Sequence, residues 1–242
     1  MNSRNFTTLI LVTLFLFVTQ HTFSQHIMGA LNAGVNLSQV DGDEVYGFKK
    51  VGFNGGPSVI IPFGKNKHWS VTLELLYSQL GSNQKSLYSQ TDTIRDSASA
   101  KYYDGYRLSL NYVQIPVIVH FTDKRIIAGG LGFQYGQLVS VTEYEDYNDS
   151  RGFVRTKTTL SGPYSLGDLQ VLADVRIRLY QGFWFDARYS YSMFSIRHRE
   201  FQNPFFGNTW WRNQYNNVIT MRITYIFKDI LPDKYKKAKN TN

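Results

Sequence analysis

Asn217-Val-Ile-Thr-Met-Arg-Ile-Thr-Tyr-Ile-Phe227 is the stretch whose reading decides the fold. Ile219, Met221, Ile223, Tyr225 and Phe227 recur at every second position, and Thr220, Arg222 and Thr224 fill the alternate ones. A period of two separates these sets onto opposite faces of a β-strand. About ten residues ending on aromatic rings is the length and edge chemistry of a membrane-crossing strand. A soluble sandwich strand has the same period, so the outcome depends on whether the rest of the chain repeats it.

Working back toward the N-terminus, the pattern returns seven times. Residues 183–193 set Phe183, Phe185, Tyr189, Tyr191 and Met193 against Asp186, Arg188, Ser190 and Ser192. Residues 168–179 set Leu169, Val171, Ala173, Val175, Ile177 and Leu179 against Asp168, Gln170, Asp174, Arg176 and Arg178. Residues 126–138 carry Ile127, Leu131, Phe133 and Tyr135 against Gly and Gln. Residues 106–121 change phase, apolar at even positions to Tyr112 and at odd ones from Val113, which predicts a bulge near Tyr112. Residues 69–79 alternate cleanly from Trp69 to Tyr77. Residues 51–63 contain Pro57 and Pro62, which places those prolines at bulges or strand ends. Residues 26–38 begin the series.

The connections after the second, fourth and sixth of these segments are short, and those after the first, third, fifth and seventh are longer and polar. Short turns on one side, long loops on the other and an even strand count are the organisation of an outer-membrane barrel. The expected fold is therefore all-β: an eight-stranded antiparallel up-and-down transmembrane β-barrel with long external loops and short periplasmic turns. Residues 217–227 must then pair with residues 26–38, because only closure leaves no unpaired edge in lipid.

Composition agrees. Aromatic residues make up 16% of the chain and charged residues only 18%, rich in rings and poor in charge for a soluble domain. Mean hydropathy is −0.30, which argues against a helical membrane protein. Arg4, the apolar run from Phe6 to Val18 and the exit at Ser24-Gln25 describe a secretory signal peptide over residues 1–24. Residues 25–227 form the barrel and residues 228–242 a basic periplasmic tail. The chain has no cysteine, so lipidation at cysteine and a disulfide framework are excluded. Net charge is +8, or 8 − 1 = +7 without Arg4. The basic residues are scattered apart from the tail, so nucleic acid is not an expected partner.

If the apolar faces meet lipid, Glu74, Asp168, Asp174, Arg176, Arg178, Asp186, Arg188 and Arg222 point into the lumen. An eight-stranded barrel is just wide enough to be filled by its own side chains, and buried charges are costly unless paired. A salt-bridged plug is the expectation, a narrow polar conduit the alternative. Arg222 should meet Asp168, Asp174, Asp186 or Glu74. Residues 194–216 bring Phe205, Phe206, Trp210 and Trp211 together with Arg197, Arg199 and Arg212. That mixture suits an external partner site, or an upper aromatic girdle folded over the barrel mouth.

Enzyme motifs are thin. Outer-membrane hydrolases place a histidine at the external rim, and only His198 lies in an external segment. No cofactor, metal or catalytic residue is expected, and Asp41-Gly42-Asp43 reads as a turn rather than a calcium loop.

Gly34-Val-Asn-Leu-Ser-Gln-Val-Asp-Gly-Asp43, Gly52-Phe-Asn-Gly-Gly56, Tyr112-Val-Gln-Ile-Pro-Val117 and Ala187-Arg-Tyr-Ser-Tyr191 together resemble the PorT-type, porin-like outer-membrane β-barrel family of Bacteroidetes. The resemblance implies a non-enzymatic barrel in the cell outer membrane, and the alternation of short and long connections puts both mature termini in the periplasm. Its partners would be outer-membrane lipid and other envelope or secretion proteins, and its role that of an accessory of type IX protein secretion or gliding. The alternatives are an envelope-integrity or surface-adhesion barrel and a narrow porin for small solutes.

Overall fold

The computed structural model describes residues 27–43, 47–64, 67–85, 102–124, 126–149, 152–158, 163–202 and 209–227. The signal segment 1–24, the tail 228–242, and Phe205 and Phe206 lie outside the described residues. The rest is antiparallel sheet: β1 (Met28–Asp41), β2 (Lys50–Phe63), β3 (Trp69–Glu74), β4 (Leu76–Lys85), β5 (Tyr102–Asp123), β6 (Ile127–Asp149), β7 (Gly152–Thr158), β8 (Gly167–Tyr180), β9 (Phe183–Ser192), β10 (Arg197–Gln202) and β11 (Thr209–Ile226).

The sheet closes on itself. β1 pairs with β11 from Ala30↔Ile226 to Asp41↔Tyr215, so the first and last strands seal the ring as backbone hydrogen bonding in lipid demands. Going round, β1, β2, the β3–β4 pair, β5, β6, β8, β9 and β11 supply eight staves. β3 and β4 are one stave interrupted at Leu75, whose N–H donates to the Pro57 carbonyl 3.0 Å away. Pro57 thus sits where the ladder is already broken. Pro62, opposite Ser70, lies near the end of β2.

Outside, the barrel wears an apolar belt. Leu131 (70% exposed), Phe133, Leu73, Val117, Val175, Met221 and Ile223 all stand outward, an uncovered apolar surface far larger than a protein in water tolerates. The belt ends on rings beside the short turns. Trp69 packs edge-on against Phe121 (5.1 Å between centroids) and Tyr225 edge-on against Phe227 (5.4 Å), while Phe183 lies tilted against Tyr225 (4.8 Å). This is the turn end of the barrel; the opposite one is the hairpin end.

Two expectations need correction. β5 does not change phase: Leu108, Leu110, Tyr112, Gln114, Ile118 and His120 all face inward and are buried. The register does slip, between Asn111↔Ser140 and Tyr112↔Leu138, but the extra residue is Val139 on β6. There the inward set passes from Gln134, Gly136 and Leu138 to Val141 and Glu143. The apparent phase change in the sequence is a change of lumen chemistry, apolar above and polar below.

The polar connections 81–105, 141–163 and 194–216 are also partly strand. β4, β5, β6 and β11 run on into them, β7 hairpins onto β6, and β10 hairpins onto β11. Beyond the belt neither face needs to be apolar, so the ladder continues without the alternation that reveals it.

Candidate functional site: the filled lumen

Inward side chains close the barrel in layers. At the turn end Ala30, Ile60, Trp184 and Ile226 form a small apolar cluster, with Met28 against it. The layer above is ionic and centres on Glu74. Arg188 forks both carboxylate oxygens of Glu74 at 3.0 Å each. Arg222 does the same at 3.0 and 2.8 Å, and Arg176 adds a bond of 3.0 Å.

Topology makes this arrangement informative. From β3 to β9 the route runs through β5, β6 and β8 one way and through β2, β1 and β11 the other. The two staves therefore face each other across the ring. The Glu74–Arg188 pair spans the lumen at its diameter, which only a narrow barrel allows.

The remaining charges pair along neighbouring strands. Asp186 lies opposite Arg222 on β11 and Arg176 on β8. Its Oδ2 accepts from Arg222 at 2.9 and 2.7 Å and from Arg176 at 3.1 Å. Asp174, opposite Arg188, accepts from it at 3.1 Å. Three carboxylates thus face three guanidiniums, a balanced set in charge-assisted geometry.

Six of the eight lumen candidates therefore converge: Glu74, Asp174, Arg176, Asp186, Arg188 and Arg222. Asp168 stands apart nearer the hairpin end, where Asn216 donates to its carboxylate at 2.8 Å and Gln170 donates as well. Arg178 lies toward the turn end, its guanidinium 4.9 Å from the Trp184 ring centre. Each is two or more strand positions from the cluster, and the inward parity they share carries no height.

Sequence reasoning missed His120. It is 1% exposed and bridges Asp174 (Nε2 to Oδ1, 2.8 Å) and Thr72 (Nδ1 to Oγ1, 3.0 Å). Gly130 leaves its ring room, since a Cβ there would come within 2.5 Å of the imidazole. The signal available was its even position, in step with Gln114 and Ile118. A ladder of amides and hydroxyls lines the β1 side: Asn32 with Ser58 and Thr224, and Asn36 with Ser78 and Thr220.

The hairpin-end half holds the larger apolar cluster. Val40, Leu80, Leu108, Leu110, Leu138, Val141, Ile196 and Val218 pack with Tyr112 and Tyr164 into one buried cluster. A polar clasp covers it. Glu143 Oε1 accepts from Arg197 at 2.7 Å and from the Tyr106 hydroxyl at 2.9 Å, and lies 3.5 Å from Arg199. Arg197 also donates to the Tyr164 hydroxyl at 2.6 Å and stacks on its ring. Burial, reinforced by the neighbouring Glu143 carboxylate, raises the Tyr164 phenol well above its ordinary range.

The expected external partner loop is accordingly divided. Arg197 and Arg199 turn inward to the clasp; Arg212, opposite Arg199 in the ladder, shares their face but is exposed, and Trp211 (61% exposed) stands on the other face. Trp210 is half-buried. His198 stacks on Trp211 with centroids 5.7 Å apart.

A family model described as an outer membrane protein beta-barrel domain matches residues 21–197. The chain belongs to this outer-membrane β-barrel family. Among solved structures, the barrel is similar to Ail, the attachment invasion locus protein of Yersinia pestis. That match has 14% identity over 83% of this chain and 98% of that one, with a TM-score of 0.42. Neisserial surface protein A (NspA) is similar at 10% identity over 82% and 96% of the two chains, TM-score 0.39. The outer membrane protease OmpT from Escherichia coli is similar at 9% identity over 83% and 93%, TM-score 0.41. No curated protein matches the chain.

Proposed function

We propose that this outer-membrane protein is a sealed, non-enzymatic barrel, anchored in outer-membrane lipid, that holds its hairpin-end strands out for another envelope or secretion component. One observation carries the sealed half of the reading: Glu74 is gripped from the opposite stave by Arg188 and from the side by Arg222 and Arg176. Ions cannot pass through a lumen that is bridged at its diameter and packed with apolar side chains above. The test is single-channel recording of the refolded full chain in planar bilayers. A flat baseline is expected, and sustained large conductance would sink the reading.

The presenting half rests on the exposed Trp211 and Arg212 and on the resemblance of four stretches to the PorT-type family. That resemblance supports an accessory role in type IX secretion. Deleting the chain and taking a census of exported proteins tests it, since an unchanged secretome removes the export role. The orientation that goes with this reading puts the turn end and both mature termini in the periplasm. An epitope placed in the 203–208 segment should then be labelled on intact cells, and a tag after residue 227 should not.

A further inference from the structure

Glu74, Asp174, Asp186 and Glu143 are each held by a guanidinium. Asp168, 1% exposed, has no such partner among the described residues. Along β8 it is 174 − 168 = 6 residues from Asp174, roughly 20 Å at about 3.3 Å per residue. On its other side Arg197 is already taken by Glu143 and Tyr164. A buried carboxylate without a counter-charge is costly, and the side chains around Asp168 do nothing to supply one.

What they supply is oxygen. Asp168 Oδ2 accepts both neighbouring amides, Asn216 Nδ2 at 2.8 Å and Gln170 Nε2. Asp168 Oδ1 has no partner, and neither has Asn216 Oδ1. Turning the Asn216 amide round would not repair this, because it would set the amide oxygen against the carboxylate. Two more oxygens join the group. Ser192 Oγ, opposite Gln170 in the ladder, accepts from the Asn216 N–H at 2.9 Å. Tyr112 Oη accepts from Asn216 Nδ2 at 3.3 Å. Gly136 lets the Tyr112 ring lean across β6, since a Cβ there would come within 3.2 Å of it. Four side chains from four staves, each 1% exposed or less, thus surround a single negative charge.

We propose that Asp168 and Asn216, with Ser192 and Tyr112, form a lumenal binding site for one alkali-metal cation, of which sodium is the type. A set made only of carboxylate, amide and hydroxyl oxygens suits a hard cation. One negative charge away from water is balanced by one positive charge, whereas a divalent ion would leave an excess. Asn216 lies on β11, the last stave, so the site is complete only in the closed barrel. With the ionic layer on one side and the apolar cluster on the other, the ion is held and not conducted.

The full chain is refolded in detergent micelles in choline chloride, and the urea midpoint is followed as sodium replaces choline at constant ionic strength. Once sodium exceeds the dissociation constant of the site, each tenfold rise should multiply the folded-to-unfolded ratio by about ten. Asp168→Asn keeps the shape and removes the charge, so its midpoint should not respond to sodium. Asn216→Asp doubles the charge and should transfer the response from sodium to calcium. Ser192→Ala, which removes one oxygen, should move the response to higher sodium even if neither of the other variants refolds. A wild-type midpoint indifferent to sodium overturns the site, as does one that rises on acidification alone, because the carboxylate then carries a proton. An equal sodium response in Asp168→Asn places the effect elsewhere and overturns it too. A wild type that prefers calcium overturns the monovalent assignment. Conductance does not enter this readout, so its failure leaves the sealed-barrel reading to the bilayer recordings.

Discussion

In the half of the lumen near the short turns, Glu74 is held by guanidiniums from three other staves. In the half near the hairpins, Leu80, Leu108, Leu110 and Val141 meet aliphatic side to aliphatic side. Both halves are filled, but they respond differently to damage. Apolar packing is non-directional, and a lost methyl group costs roughly what it buried plus the cavity it leaves. A buried ion set is directional, and losing one member strands the others in a place where their charge cannot be solvated.

The largest effect should therefore come from Glu74→Ala, which leaves three guanidiniums to two carboxylates. The expected loss is about 3–5 kcal/mol, read as a lower urea midpoint for the detergent-folded barrel. A loss below about 1 kcal/mol would mean that water already reaches the layer. Leu110→Ala in the apolar half should cost about 2–5 kcal/mol, with conductance still at baseline because the ionic layer below is intact. An opened channel in that variant, and none in Glu74→Ala, would reverse the roles of the two halves.

The clasp above the apolar half gives a pH test. The folded-state pKa of Tyr164 is raised by burial and by Glu143, so its contribution is complete below the ordinary phenol value near 10. It is lost only as pH climbs through the raised value. Alkaline unfolding of the wild type should therefore carry a component above pH 10 that Tyr164→Phe lacks. Identical alkaline profiles would exclude Tyr164 as its source. The smallest effect is at Gln214, fully buried at the hairpin end with neither amide atom meeting a partner among the described residues. Gln214→Leu should be neutral or stabilising by up to about 1 kcal/mol. A loss above 1 kcal/mol would show that the amide is satisfied after all.

The sequence carried the barrel because lipid enforces strict alternation along the belt, and residues such as Leu73, Val117 and Ile223 obey it. It carried less of what lies beyond the belt, where strand continues through polar residues such as those of β7 and β10. It placed charges inside or outside but not at a height, which is why Asp168 and Arg178 were grouped with a cluster they do not join. His120 went unnoticed because a histidine among valines and isoleucines draws attention only once Asp174 is known to face it.

Glu74 also says something about how the barrel is made. It leaves the ribosome 102 residues before Arg176 and 148 before Arg222, the separations that its hydrogen bonds close. Until β8, β9 and β11 arrive, that carboxylate has none of its cations, and an unclosed sheet would carry it into lipid at heavy cost. The last strand delivers Arg222 and the seam with β1 in the same event, so charge neutrality and edge closure are reached together. A chain truncated before β11 lacks both, and the ionic layer thereby marks a complete barrel as distinct from a partial one.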